Sequence, residues 1–423
     1  MKKSFKEPIL GAIVFVVAVI LGLVFLEQKM YTRLFIGMAI GYILTRGFFG
    51  FAGSVNRAYN TGSTKLMRSL MYLFVISAII TIAFVYNDVG TLNAETDKME
   101  YIYRLSVNPI NLGLLVGGLL FGFGMALSMC CASGSLTDLV ASPWRGGTTL
   151  IFFCIGVFVG YPLQNSASWV TTSWVTSGSR GKGVFLPDLF PWDPMRGFLA
   201  SLVVTLLLAG LVIYLSKAYE NYRKKQNTFS LPGSEAMQEK IAQGLDQDKS
   251  WYYRIFAKPF TLNQAIVAFA LCYVALMYFF KSGWGVTTPF GYAFGGFLKL
   301  FGVSSEALEA YTKAKPGFFD TPFFSNGVNV QNMGIVVGTL VAFLLMNIYK
   351  ETVMEEIRIT PREVLVYMLG GFTMGIGSRL ANGCNAGALF TPIAHFSLSA
   401  WVFLIVLVVG GTLGNMAAKK LRP

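Results

Sequence analysis

The 423-residue chain is 54% hydrophobic and only 13% charged, with a formal net charge of +13 and a mean hydropathy of +0.57. Water-soluble domains carry about a quarter charged residues, so the bilayer has to be the solvent, and no stretch is left for a separate soluble catalytic domain. The Lys and Arg residues gather at the ends of apolar runs rather than on a stripe with interleaved aromatics, which argues for membrane orientation and against nucleic acid as the reason for the charge.

In chain order, eight runs are long and apolar enough for a spanning helix: 9–26, 66–86, 112–129, 148–163, 199–215, 264–280, 333–349 and 398–416. Such a helix needs roughly 17–25 residues. Lys2, Lys3 and Lys6 precede the first run, and no small-residue cleavage site follows Leu26, so it reads as a retained helix rather than a signal peptide. The acidic loop 87–100, with Asp88, Glu95, Asp97 and Glu100 against Lys98, is expected outside. Between residues 217 and 258 lie eight Lys/Arg and five Asp/Glu, a polar linker that the positive-inside rule places with the N-terminus in the cytoplasm.

Sliding the chain by 253 residues aligns GGLLFGFGMALSMCCASG (117–134) with GGFTMGIGSRLANGCNAG (370–387), seven of eighteen positions being identical and five of those seven glycine. Cys131 falls on Cys384. A shift of 254 lays Gly37 and Gly41 on Gly291 and Gly295, and the helix at Ile9 on that at Asn263. The expectation is an internal duplication: a first repeat at 1–216, the linker at 217–258 and a second repeat at 259–423.

The fold class expected is an all-α membrane protein, a polytopic bundle of two repeats with interrupted helices around a central hourglass-like path. Broken backbone survives in a membrane only when it is buried in protein or lines a watery cavity, and breaks at matching places in two halves mark a central site. One break falls at Thr45-Arg46-Gly47, with a counterpart between Trp284 and Phe301; the cysteine motifs form the other pair. Parallel or inverted orientation stays open. The basic C-terminus (Lys419, Lys420, Arg422) points inside, whereas a crossing count with every broken segment re-entrant puts it outside.

Each motif presents glycines, a thiol and small or amide residues, which can bring backbone N–H groups up to an anion. Helix ends contribute about 0.3–2 kcal/mol against a desolvation cost of several kcal/mol, so a cationic side chain is needed. Arg379, five residues before Cys384, is the candidate, since an ionisable group at membrane depth is a functional hypothesis. Cys131 and Cys384 are candidate contacts on the path. Thiols are weak, polarisable donors, matched to terminal sulfur or selenium. Cys130, Gly134, Asn382, Asn385, Gly387 and Arg46 complete the candidate path. Cys154 and Cys272, in plain helix middles, read as packing, and His395 as structural. The cysteines form no CxxC pair, so no metal or cofactor is expected, and no P-loop, dinucleotide fingerprint or HExxH occurs to suggest an enzyme.

The stretch GIGSRLANGCNAGALFTPIAHFSLSAWVF (375–403), together with 117–134, resembles the paired signature of the YeeE/YedE family of bacterial inner-membrane proteins. GYILTRGFFGFAGSVNRAYNTG (41–62) resembles that family's segment with an arginine, then a cysteine, then an Arg-Asp pair. The resemblance implies a multi-pass inner-membrane permease for a thiosulfate-like or selenium-containing anion, passed along cysteines in a narrow path, with a small soluble sulfur-carrier protein as a partner. It gives Cys131 and Cys384 that role here. Gly50 stands where the family has a further cysteine, Asn56-Arg57 stands at the Arg-Asp pair, and Cys130 replaces a glycine, which leaves room for another sulfur or selenium species. The competing reading is a membrane-embedded sulfurtransferase or redox partner with a persulfide on Cys130/Cys131.

Overall fold

A computed structural model of the chain describes residues 6–93, 98–244, 250–355 and 359–421. Lys2, Lys3, Glu95, Asp97 and Arg422, which entered the topology argument, lie outside the described residues. Among the described residues, ten helical stretches are long and apolar enough to span a bilayer. Eight coincide with the runs expected; the other two, Gln28–Thr61 and Pro361–Ala394, contain breaks, so their apolar runs are cut too short to stand out in sequence.

The helices are α1 (Lys6–Phe25), α2 (Gln28–Arg46), α3 (Phe51–Thr61), α4 (Lys65–Val85), α5 (Leu112–Ser128), α6 (Ala132–Ala141) and α7 (Pro143–Ser166), then α8 (Phe198–Lys225), α9 (Gly233–Ala242), α10 (Leu262–Phe280), α11 (Thr288–Lys299), α12 (Gly327–Met346), α13 (Pro361–Leu380) and α14 (Ser399–Leu421). Among the described residues the only paired strands form a two-stranded hairpin, Thr91–Asn93 with Lys98–Glu100. It occupies the acidic loop, where Asp88 pairs with Arg180 at 3.1 Å.

Exposed apolar surface identifies the lipid face. The most apolar stretch of α1 is only 17% buried and that of α8 only 22%, and both turn Leu and Val side chains outward, α1 adding Ile. In water such surface would be untenable; in hydrocarbon it costs nothing. The polar run expected to begin at 217 lies inside α8, which continues to Lys225 with Arg223, Lys224 and Lys225 in its last turn. Cations there complement the helix dipole and reach the headgroups.

One end of the bundle is marked by the linker. The Ser230 N–H donates to the Thr61 carbonyl at 2.8 Å, and the Phe260 N–H to the Arg46 carbonyl at 2.8 Å. Glu7 accepts from the Tyr349 and Lys350 N–H groups at 3.0 and 3.1 Å. At the same end, Lys419 stands 4.8 Å from the Tyr59 ring and Asn60 donates to Asn415 at 3.2 Å. The C-terminal end of α14 therefore shares the linker side, which resolves the conflict left by the crossing count.

In the middle of the bundle α5 and α13 run antiparallel, with Gly117 against Gly377 and Gly124 against Gly370. Small residues permit this backbone-to-backbone approach. Gly156 of α7 packs on Gly375 of α13, while Gly122 of α5 packs beside Gly411 of α14. The helix following each motif thus packs on the motif helix of the other half. Gly37 and Gly41 meet Gln331 and Ile335 of α12. Gly291 and Gly295 instead meet Tyr161 and Phe319, so the alignment at 254 brings together glycines with unlike surroundings.

Candidate functional site

Both cysteine motifs break the same way. After α5, Met129 takes left-handed backbone (φ 61°), and after α13, Asn382 does so (φ 58°). Two residues later the chain is extended at Cys131 (φ −103°, ψ −179°) and at Cys384 (φ −100°, ψ −165°). Each cysteine then caps a helical segment: α6 after Cys131, and a π-helical turn, Asn385–Phe390, leading into Thr391–Ala394 after Cys384.

The Gly134 N–H donates to the Cys131 Sγ at 3.4 Å, and the Ser133 hydroxyl lies 3.3 Å from that sulfur. Cys384 occupies the corresponding N-cap position without a capping hydrogen bond from its side chain. Both cysteines are 1% exposed and belong to one buried cluster. The two motifs touch through Asn385, whose Nδ2 donates to the Met125 Sδ at 3.2 Å. The Asn385 Oδ1 is buried without a partner, and the Gly387 carbonyl accepts from Asn108 at 3.4 Å.

A cavity of about 410 Å³ opens beside the first motif, lined among others by Cys130, Cys131, Gly134, Gly50, Arg57 and Arg145. Arg57 donates to the Phe48 carbonyl at 2.8 Å and pairs with Glu235 of the linker at 3.2 Å. Arg145 pairs with Asp138 at 3.2 Å. In the sequence Arg57 stood out only at the position of the family's Arg-Asp pair, and Arg145 did not stand out; their arrival beside Cys131 depends on α3 packing on α5 and α6 on α7.

Arg46 is not in this lining. It is 3% exposed and donates to the Tyr42 hydroxyl at 2.7 Å, to the Ile255 carbonyl at 2.8 Å and to the Lys258 carbonyl. Its guanidinium also lies 4.2 Å from the Phe260 ring. It fastens the end of the linker to α2.

Arg379 lies toward the other end of the bundle. A Cβ on Gly160 of α7 would meet its side chain, and Gly160 is fifteen residues, about 22 Å of helix, from Arg145 on the cavity wall. Arg379 is 3% exposed. It donates to the Gln164 Oε1 at 3.3 Å and to the Thr287 hydroxyl, while its Nε has no partner. Gln164 in turn donates to the Asn382 Oδ1 at 3.0 Å. Among the described residues no carboxylate pairs with this arginine. Gln164 and Thr287 were not foreseen; an amide closing the apolar run at 163 was the one available signal.

The remaining cysteines and the histidine occupy packed positions. Cys272 is 8% exposed in the main core and Cys154 packs partly buried against it. His395 is fully buried, and its Nδ1 accepts from the Ser106 N–H at 2.8 Å. Among the described residues no three His, Cys, Asp or Glu side chains gather in a metal-holding group.

Spanning helices packed around two glycine-broken segments define a polytopic membrane protein of the broken-helix kind that secondary transporters use. The chain belongs to the sulphur transport family, the YeeE/YedE family, which matches residues 46–413. It is 22% identical over 409 residues to the thiosulfate transporter TsuA of Spirochaeta thermophila, covering 90% of this chain and 96% of that protein. It is also 22% identical over 385 residues to TsuA of Escherichia coli K12, covering 88% and 90%. Over 136 residues it is 33% identical to the probable transporter YedE of the same strain, a stretch covering 31% of each chain. The chain thus aligns with under a third of that relative's length.

Proposed function

We propose that this chain is an inner-membrane permease for a small sulfur-containing anion of the thiosulfate type, or a related selenium species. The observation that carries the reading is the pair of matching breaks, each placing a buried cysteine at the start of a helical segment, in two motif helices that cross glycine on glycine. The crossed contacts, Gly117 with Gly377 and Gly124 with Gly370, are those expected of two duplicated units, at 1–216 and 259–423, related by a two-fold axis in the membrane plane. The linker end, with its excess of Lys and Arg, would then be cytoplasmic, and its exposed basic face would receive a soluble sulfur-carrier protein.

Transport needs contacts strong enough to offset desolvation and weak enough to release. Helix-end N–H groups at Cys131 and Cys384 supply part of that, at about 0.3–2 kcal/mol each. The thiols offer polarisable, weakly donating surfaces to a terminal sulfur or selenium, with Cys130, Gly134 and Gly387 leaving room beside them. Asn382 and Asn385 supply amides, and Arg46 secures the first break. Arg379 supplies the charge. The sulfurtransferase reading finds less support, because Cys130 and Cys131 are 4% and 1% exposed and persulfide chemistry requires an accessible thiolate.

The test is growth and labelled-thiosulfate uptake in a host dependent on imported thiosulfate. Cys131→Ala plus Cys384→Ala is expected to abolish uptake while the protein still accumulates in the membrane; Cys154→Ala plus Cys272→Ala is expected to leave it unchanged. Full uptake by the first variant would remove the thiol contacts from the mechanism. A stable persulfide on Cys130 or Cys131 after exposure to polysulfide, whose sulfane sulfur passes to the thiol as a shortened polysulfide leaves, without flux in proteoliposomes, would favour the sulfurtransferase.

A further inference from the structure

Among the described residues, four arginines within or beside the bundle are answered by a carboxylate, while Arg46 is held by backbone carbonyls and Tyr42 at the linker end. Arg57 pairs with Glu235, Arg68 with Glu220, Arg145 with Asp138 and Arg180 with Asp88. Two toward the end opposite the linker are answered by a glutamine instead. Arg379 donates to the Gln164 Oε1, and Arg33 of α2 donates to the Gln331 Oε1 of α12 at 3.1 Å. Among the described residues neither arginine has a carboxylate partner.

The distinction matters because a carboxylate cancels the charge, whereas an amide oxygen orients the guanidinium and leaves its positive charge whole. Unused donors remain at both places: the Arg379 Nε and the Gln331 Nε2 are buried without partners, and Gln331 is 1% exposed. A buried unpaired donor is costly and calls for an explanation. An arginine that merely snorkelled would turn its head to the interface. The Arg33 guanidinium carbon instead stands over the Phe280 ring, 4.0 Å from its centroid, and the side chain reaches across to α12. The two places are joined through one short segment: Asn332, next to Gln331, donates to the Val286 carbonyl at 2.9 Å, and the following residue, Thr287, accepts from Arg379.

We infer that Arg33 and Gln331 form a second anion seat, taking a small sulfur oxyanion before it reaches Arg379. The Arg33 guanidinium and the Gln331 Nε2 are its donors. Gln331 is a positioning residue as well, since its neutral oxygen fixes Arg33 without discharging it. This rests on the transport reading for its ligand class, but not for its test.

Gln331→Glu separates a seat from a strut. The substitution keeps the shape and the acceptor and strengthens the internal bond, so a purely structural Arg33 would be held at least as well. Equilibrium dialysis of the purified chain against radiolabelled thiosulfate is the assay, with melting temperature as the check on folding. Arg379→Gln is expected to retain about one bound equivalent, and adding Gln331→Glu or Arg33→Gln should weaken that binding at least tenfold without lowering the melting temperature in the Glu variant. Binding that Gln331→Glu leaves unchanged overturns the seat, even where uptake is intact. Binding that follows the expected pattern in a chain that moves no thiosulfate sinks the transport reading and leaves the seat standing. No binding by the unsubstituted chain overturns both.

Discussion

Gly117 of α5 lies against Gly377 of α13 so closely that a Cβ at Gly117 would sit 2.8 Å from the Gly377 carbonyl oxygen and 2.6 Å from the Ala381 nitrogen. Backbone cannot yield as a side chain can, so Gly117→Val must push the two motif helices apart. Overpacking of this kind costs about 1–3 kcal/mol, and the displacement passes directly to both cysteine breaks. The expected result is a lower melting temperature in detergent together with loss of uptake. Gly210→Ala, on the lipid face of α8 with nothing within 4 Å of the new Cβ, should melt as the parent does or slightly higher.

Gly50 offers the opposite situation. It lines the cavity with Cys130 and Cys131, its backbone is extended (φ −133°, ψ 135°), and a Cβ there meets nothing within 4 Å. Gly50→Cys should fold normally, with stability unchanged or raised by up to about 1 kcal/mol through a stiffer unfolded chain. It places a thiol at the position where the sequence resemblance implies one. Thiosulfate uptake is expected to rise above the parent; an unaltered rate, with the new thiol open to maleimide, would show that this position does not limit flux.

The linker helix α9 is held to the first break by buried polar contacts. Glu235, 1% exposed, pairs with Arg57 and accepts from the Ser63 hydroxyl, and Gln238 donates to the Gly47 and Phe260 carbonyls at 2.7 and 2.8 Å. Removing one partner of a buried pair costs 3–5 kcal/mol at most; because Arg57 is 20% exposed, about 1–3 kcal/mol is expected for Glu235→Gln. The readout is faster trypsin cleavage at Lys240, with the spanning helices still protected.

Outside the spanning segments, Asp320 is hydrogen-bonded by the Ser305 hydroxyl at 2.6 Å and by Lys299 at 2.9 Å. These donors, the hydroxyl first, hold its carboxyl below the ordinary range. A lowered folded value means the stabilisation is complete above the ordinary aspartate pKa, about 3.9, and is lost as pH falls through the folded value. Below that point the segment Ser305–Thr312 should exchange amide hydrogens faster. Asp320→Asn should show the faster exchange already at neutral pH.

Eight of the spanning stretches could be located from apolar runs alone, because hydrocarbon accepts nothing else at that length. The breaks at Arg46 and in the cysteine motifs were also legible, marked by glycines and by the repeated spacing of Cys131 and Cys384. Met129 was not foreseen as the left-handed counterpart of Asn382, because nothing about methionine favours that conformation. Arg46 was expected on the path, yet backbone carbonyls from Ile255 and Lys258, more than two hundred residues away, claim its donors.

Composition by itself determined the solvent, the helical class and the thiol motifs, because hydrophobicity and local backbone chemistry are written residue by residue. Only the tertiary structure decided which end the C-terminus shares, that the motif helices run antiparallel, and which arginines keep their charge. Those depend on pairings such as Arg57 with Glu235 or Arg379 with Gln164, and a charge's partner is fixed by packing between distant segments rather than by its neighbours in the chain.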